Sequence, residues 1–250
     1  MTGSVAVHIQ STAQADDLGL ITLGDLCAAA EGTDYRIIGG HMVRLLTHVY
    51  GLAPSTPRLT ADADAGIHEP VAASGDLGTE LEAAGYHKEC SNRYVRRTAS
   101  GDAAIDLLVP TAASAGPQQL GANQFDAAPG LRLALASPAV VVDVSAYLTT
   151  GEEITCTAAI PDIEAAVILK LLATTVRSAD RDIADLLTLL EIVNAIDEPI
   201  TGPWKLDDPQ ACSQGERLDA ARAARRLRRL PAGGIPPRCG ALLKKYVPGG

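Results

Sequence analysis

The hydrophobic positions of the chain change their period near residue 160. Before that point, short apolar and β-branched runs alternate with glycine, proline and polar residues, which is typical of strands joined by turns. After it, apolar residues recur every three or four positions over Ile163–Val176 and Asp180–Ile196, which predicts two helices. We therefore predict an α/β (α+β) protein with a mixed sheet at residues 1–160 and a helical domain at residues 161–250.

The same pattern predicts the individual elements, with turns and caps marking their ends. In chain order they are a short strand (Val5–Ile9), a helix (Thr22–Ala30), a strand (Arg36–Ile38), a helix (His41–Tyr50), a strand (Arg58–Asp64), a helix (Gly75–Ala84), two strands (Arg93–Thr98 and Ala103–Pro110) joined by a turn at Ser100, Gly101 and Asp102, a mobile loop (Thr111–Pro129), three strands (Leu131–Ala136, Ala139–Ser145 and Ile154–Ala159), the two helices above, a basic helix (Arg217–Leu230) and a last helix (Gly240–Val247).

The stretch from Tyr35 to Gly66 predicts the first part of a site, because it combines a strand, a glycine turn, a helix and a second strand. Gly39 and Gly40 lie at the turn, where backbone N–H groups can approach phosphate oxygens and the helix N-terminus adds a partial positive charge. Asp62 and Asp64 alternate on the second strand, so they share a face about 7 Å apart. Two carboxylates on one face repel unless a cation lies between them.

A third acid interrupts an apolar strand further along the chain. Asp106 lies within the sequence AIDLLVP, and burying an unpaired carboxylate costs several kcal/mol, so this position needs an explanation. Mg²⁺ prefers carboxylate oxygens together with substrate phosphates and water. Asp62, Asp64 and Asp106 are therefore candidate ligands of Mg²⁺ (or Mn²⁺), and Asp106 is also a candidate acceptor for the proton of a nucleophile.

Charge is distributed unevenly along the chain. The formal net charge of −9 argues against general coating of nucleic acid. From residue 213 onward, however, the chain has nine Lys and Arg residues and only two acids, so the formal net charge of this tail is about +7 and that of the remainder about −16. The basic helix Arg217–Leu230 therefore has two interpretations, a contact with RNA phosphates or a solvated helix face, and it carries no aromatic residues for base stacking.

Cysteine usage and hydropathy exclude several classes of protein. The five cysteines are scattered, without a CxxC pair, so neither a zinc site nor a disulfide framework is indicated. We find no basic N-terminal region followed by an apolar run and no apolar stretch approaching 18 residues. The expectation is a cytoplasmic protein without a membrane partner.

The order of these motifs resembles a known family. Gly-Gly, a helix, Asp-x-Asp on a strand and a lone Asp in an apolar strand are similar to the polymerase-β-type nucleotidyltransferase superfamily. Within it, RLTADAD, AIDLLVP and LKLLATTVRSADRDIADLLTLL resemble the AbiEii/AbiGii-type (MenT-like) nucleotidyltransferase toxins. The resemblance spans roughly residues 37–194 and does not include the last fifty residues.

The resemblance implies a role for each matching residue. Gly39 and Gly40 would form the phosphate turn, and Asp62, Asp64 and Asp106 would hold metal. Lys170 would contact the triphosphate, and Asp182 would lie at the active site. Helical spacing independently places Lys170, Thr174 and Arg177 on one face of an otherwise apolar helix, so Arg177 is a further candidate ligand of the nucleotide, as is Arg44, one turn after Gly40.

Each of these residues also has a simpler interpretation, which the sequence leaves open. Gly39 and Gly40 could form an ordinary turn, and the Asp62–Asp64 pair could be solvated. Lys170 could extend its ammonium group from a core helix to water. Asp182 could pair with Arg181 or Arg177 instead of belonging to a site, and Arg44 could be solvated.

The function expected from this resemblance is transfer of a nucleoside monophosphate from ATP, CTP, GTP or UTP to an acceptor. By family the acceptor is the 3′ end of tRNA or another RNA, and the protein is the toxin of a type IV-like toxin–antitoxin pair with a cognate antitoxin. Two alternatives remain. The same chemistry could modify a small molecule of the aminoglycoside kind or a protein side chain, or the chain could be a catalytically silent NTP-binding homologue.

Overall fold

The computed structural model describes residues 3–52, 59–110, 117–176, 180–231 and 233–249. Its strands are β1 (Val5–Gln10), β2 (Tyr35–Ile38), β3 (Asp62–Ile67), β4 (His87–Cys90), β5 (Arg93–Thr98), β6 (Gly101–Pro110), β7 (Gln118–Leu120), β8 (Asn123–Ala128), β9 (Val140–Tyr147) and β10 (Glu153–Ile160). Its α-helices are α1 (Gln14–Ala29), α2 (Gly39–Val49), α3 (Glu69–Ser74), α4 (Asp76–Ala83), α5 (Leu131–Ala136), α6 (Ile163–Val176), α7 (Asp180–Ala195), α8 (Gly215–Arg228) and α9 (Pro237–Tyr246).

The strands form two sheets. In the larger sheet the order is β2-β3-β6-β5-β4, and β8 pairs with the end of β6 and with β7. β3 runs parallel to β6, whereas β2 and β5 run antiparallel to their neighbours β3 and β6, so the sheet is mixed. The smaller sheet has the order β1-β9-β10, with β1 parallel and β10 antiparallel to β9.

The core lies between the sheets and the helices. Helix α1 packs against β3, β6 and β10, while α2 packs against β1, β3 and α7. Helix α6 is almost wholly apolar from Ile163 to Leu172 and is buried over that length, with α5, α7 and α8 around it. Burial of such a face stabilises a helix far more than its intrinsic propensity does.

The predicted fold class is confirmed, since the sheets are mixed and all described strands precede residue 161. The helices Ile163–Val176 and Asp180–Ile196 were predicted to within one residue. The division into domains at residue 160 stays a prediction. Among described residues, no helix is long and apolar enough to span a membrane.

Two predictions between residues 111 and 136 were wrong. Leu131–Ala136 forms helix α5 and not a strand, because Gly130, at φ 92°, turns the chain and the carboxylate of Glu216 accepts hydrogen bonds from the first amides of the helix. The expected loop Thr111–Pro129 contains β7 and β8, since Phe125 is buried and β8 adds to β6. Residues 111–116 of that loop lie outside the described part of the chain.

Candidate active site

Gly39 begins α2 directly after the buried strand β2. Its φ of 66° is a left-handed conformation that glycine adopts without strain. An added Cβ would overlap Oδ2 of Asp64, so the glycine also makes room for that carboxylate. The turn therefore brings the N-terminus of α2, where backbone amides point outward, against the acid of the neighbouring strand.

The three predicted acids lie on one face of the larger sheet. Asp64 and Asp106 are partners in the parallel pairing of β3 with β6, and Asp62 precedes Asp64 by two residues. Paired residues of neighbouring strands present their side chains to the same face, as do alternate residues of one strand. The other face of β3 carries Ala63 and Ala65, which are fully buried.

A positively charged side chain, that of Arg93, lies across this acidic face. Arg93 is the partner of Asp106 in the antiparallel pairing of β5 with β6. Its Nη1 donates to Oδ2 of Asp106 at 2.5 Å, and its Nη2 donates to Oδ2 of Asp62 at 3.5 Å. The repulsion expected between carboxylates on this face is therefore relieved by an arginine.

The pKa values of this pair follow from burial and charge. Burial raises the pKa of Asp106 and outweighs the opposing effect of Arg93, while the charge of Asp62 adds to the increase. For Arg93, burial alone would lower the pKa, but the charges of Asp106 and Asp62 raise it above the ordinary value.

As arranged here, the three acids do not fit a metal site. Throughout the described ranges, no group of three His, Cys, Asp or Glu side chains is placed to hold a metal ion. Arg93 occupies an oxygen of Asp106 and an oxygen of Asp62 that such an ion would need. Metal ligation by Asp62, Asp64 and Asp106 stays a prediction.

Lys170 is buried at the centre of α6, with 5% of its surface exposed. Its Nζ lies 2.8 Å from Oδ2 of Asp185 and 3.3 Å from Oδ1 of Asp182, both on α7 and both buried. Asp182 therefore pairs with Lys170, and its place at an active site stays a prediction. The ammonium group does not extend to bulk water.

One cavity brings three of the predicted residues together. It has a volume of about 200 Å³ and is lined by Gly39, Asp64 and Lys170. The rest of its lining is apolar and comes from β2, α2, β6, β8 with the residue that follows it, and α6: Ile38, Met42, Leu108, Ala127, Ala128, Pro129, Leu169, Ala173 and Val176. Residues far apart in the sequence thus meet in a pocket with an amide-rich helix end, a carboxylate and an ammonium group.

The remaining candidate residues lie elsewhere. Gly40 is buried in the first turn of α2, after Gly39. Arg44 forms a buried bidentate ion pair with Asp16 of α1. It is therefore not solvated, and it does not line this cavity. Arg177 lies outside the described residues.

A second cavity of about 890 Å³ adjoins the first, and Pro129 lines both. Four arginines line it, one from α5 and three from the basic helix α8: Arg132, Arg217, Arg222 and Arg226. Its acids are Glu216 and Asp219. The carboxylate of Glu216 accepts hydrogen bonds from the amides of Gly130 and Leu133, and Arg217 is bound to the buried Glu164.

Sequence reasoning missed Arg93 and Asp16. A tight hairpin between β5 and β6 sets Arg93 opposite Asp106, so counting outward from the turn identifies the first of these. Nothing in the local sequence relates Asp16 to Arg44, because their contact joins two helices.

No protein-family model matches the chain, and no curated protein matches it. Among solved structures, the chain is similar to an antigenic nucleotidyltransferase-like protein from Paracoccidioides brasiliensis, with a TM-score of 0.49 and 18% identity over 95% of each chain. It is also similar to the antibiotic-resistance factor ANT(2'')-Ia, with a TM-score of 0.39 and 12% identity over 72% of this chain and 86% of that one. At this identity and these TM-scores, neither likeness carries an argument about function.

Proposed function

We propose that the protein is a nucleotidyltransferase, which moves a nucleoside monophosphate from an NTP to an acceptor hydroxyl and releases pyrophosphate. One observation carries the proposal: a single cavity is lined by Gly39 at a helix N-terminus, by Asp64 and by the buried Lys170. A triphosphate needs hydrogen-bond donors and positive charge, which backbone amides and an ammonium group supply. A carboxylate beside them can accept the proton of an attacking hydroxyl.

In this reaction the residues of the cavity divide the work. The amides at the start of α2 bind phosphate oxygens, and Lys170, held in place by Asp182 and Asp185, donates from its ammonium group to a phosphate oxygen in the same cavity. The apolar wall keeps water from competing with the acceptor. The divalent cation expected with this chemistry is predicted from the resemblance of the sequence motifs alone.

We infer further that the acceptor is an RNA, with its 3′ end as the reacting group, and that the protein acts as a toxin with a cognate antitoxin. The arginines of α8 support an anionic acceptor, because they line the cavity next to the first one. A cationic drug of the aminoglycoside kind would need an acidic surface instead. Of the two acids there, Glu216 is already bound to backbone amides.

The activity is tested with purified protein, total RNA and each of the four NTPs labelled at the α-phosphate. We expect labelled RNA and release of pyrophosphate, both abolished by Asp64→Ala, and relief of growth inhibition on expression of that variant. Asp102→Ala is the matched control, since Asp102 is exposed on β6 away from the cavity. Labelling that persists in Asp64→Ala contradicts the proposal, and nucleotide binding without pyrophosphate release from any acceptor indicates a silent NTP-binding protein.

The acceptor is tested by reversing the charge of two pairs of arginines, in α8 and at its C-cap. Arg222→Glu with Arg226→Glu should raise KM for RNA on the order of tenfold and weaken its salt dependence. Arg225→Glu with Arg229→Glu makes the same change in net charge on residues that do not line the cavity, and we expect little effect. Equal effects of the two double variants would argue against binding of RNA in this cavity.

A further inference from the structure

Two of the cysteines meet at the interface between helix α1 and strand β10. The helix packs on this strand, and a Cβ added to Gly24 of α1 would lie 3.0 Å from the side chain of Ile154 of β10. Cys27 lies one helical turn after Gly24, on the same face of α1. Cys156 lies two residues after Ile154, on the same face of β10. The fold therefore sets Cys27 opposite Cys156, although the two are far apart in the sequence.

A cavity of about 490 Å³ is lined by both of these cysteines and by Tyr35. Cys27 is buried, Cys156 is partly exposed, and both are free thiols. Among described residues, none that lines this cavity lines either of the two cavities described above. The pair of thiols is therefore separate from the residues assigned to nucleotide transfer, and small molecules can reach it through its own cavity.

Contact between the two thiols makes them chemically unequal. A hydrogen bond from the Cys156 thiol, together with the Tyr35 hydroxyl, lowers the pKa of the Cys27 thiol below its ordinary value, although burial opposes this effect. The same hydrogen bond and burial raise the pKa of Cys156, which therefore keeps its proton. Because the thiolate is the reactive form of cysteine, Cys27 is the better nucleophile of the two.

We propose that Cys27 and Cys156 form a reversible disulfide on reaction with a hydroperoxide, which makes this cavity a site of thiol oxidation. The thiolate of Cys27 attacks the O–O bond, so that an S–O bond forms and the departing oxygen takes a proton from solvent and leaves as water or an alcohol. Cys156 then attacks the sulfenic acid at Cys27, an S–S bond forms, and the hydroxyl group leaves as water with the proton of Cys156. The two thiols lose two electrons, which the hydroperoxide takes up, and exchange with a small thiol reverses the reaction.

The first test uses the unaltered protein in its reduced form. The protein is exposed to hydrogen peroxide, free thiols are blocked with N-ethylmaleimide, and peptide mass spectrometry of the monomeric fraction locates any cross-link. We expect a cross-link between Cys27 and Cys156 that dithiothreitol removes, and no link from either of them to Cys90, which is exposed. Recovery of Cys27 and Cys156 as unlinked peptides after oxidation would overturn the proposal.

The second test identifies the attacking thiol by trapping sulfenic acid with dimedone. Cys156→Ser should be labelled at Cys27 several-fold faster than Cys27→Ser is labelled at Cys156, because the serine hydroxyl still donates a hydrogen bond to the Cys27 thiolate. Cys90→Ser is the matched control and should form the disulfide as the unaltered protein does. Equal labelling of the two variants, or faster labelling at Cys156, would overturn the assignment of Cys27 as the nucleophile. Neither test depends on nucleotide transfer.

Discussion

Replacing Lys170 by methionine tests whether the buried ion pair between α6 and α7 holds the helical part of the site together. Methionine keeps the unbranched shape of the side chain but removes the ammonium group. Two buried carboxylates, those of Asp182 and Asp185, then lose the positive charge at 3.3 Å and 2.8 Å.

The size of the effect follows from these distances. At an effective dielectric constant of about 20, each contact is worth roughly 5–6 kcal/mol before the cost of desolvation. Because desolvation of all three groups opposes this attraction, the measurable loss on removing one partner is about 3–5 kcal/mol. We therefore expect Lys170→Met to lower the free energy of unfolding by that amount, a large share of the stability of a typical domain.

The assay is urea unfolding at pH 7, followed by circular dichroism. Lys205→Met is the matched control, because Lys205 has an exposed side chain, and it should change the free energy by less than about 0.5 kcal/mol. Adding Asp182→Asn and Asp185→Asn to Lys170→Met should restore much of the loss, since neutral groups replace the whole ion pair. A loss below about 1 kcal/mol in Lys170→Met would show that the ion pair does not stabilise the fold.

Two further predictions concern other parts of the chain. Gly39→Ala should abolish transfer activity and destabilise the protein by more than Gly51→Ala does. Both glycines have positive φ, but only at Gly39 would an added Cβ overlap Asp64. Urea unfolding of both variants measures the difference, and equal losses of stability would contradict the clash. Burial raises the pKa of the Cys239 thiol from 9.0 to about 11, so its contribution to stability is intact below about pH 9 and is lost as the pH rises towards 11. The free energy of unfolding should therefore fall less steeply between pH 9 and pH 11 for Cys239→Ala than for Cys90→Ala, which removes an exposed cysteine instead. Identical dependence on pH in the two variants would refute this.

Local sequence pattern was sufficient for two of the elements that form the first cavity, β2 and α2, whereas β8, which also lines it, was predicted to be a loop. The strand β2, the positive-φ glycine and the amphipathic helix α2 each carry a strong local signal, and the predicted bounds differ from the observed ones by one or two residues. Asp62 and Asp64 are alternate residues of one strand, so the sequence alone predicts that their side chains lie on the same face of the sheet. These features depend on neighbours in sequence, which a single chain displays.

Long-range contacts account for what the pattern did not predict. The run Leu131–Ala136 is short and apolar, and such a run does not distinguish strand from helix. Its helical state depends on Glu216, more than eighty residues later. In the same way, Thr22 was predicted to begin a helix, but it lies inside α1 and its hydroxyl donates to the carbonyl of Leu18.

The ion pairs of Lys170 likewise depend on long-range contacts and not on local sequence pattern. Helical spacing drew attention to Lys170, but the sequence did not predict its ion pairs with Asp182 and Asp185. Those pairs depend on how α6 meets α7, where both carboxylates reach the ammonium group, and the phosphate contact of Lys170 stays a prediction. The tertiary packing of two helices, and not the pattern of either one, determines that contact.

The buried pair between Arg44 and Asp16 has a consequence for how a ligand would bind. It fastens α2 to α1 one turn after the glycines, so the amides at the start of α2 are held before any phosphate arrives. Ordering a flexible loop on binding costs conformational entropy, at about 1–2 kcal/mol for each residue whose backbone becomes fixed. A turn anchored in this way avoids most of that cost, so more of the interaction with phosphate remains as affinity.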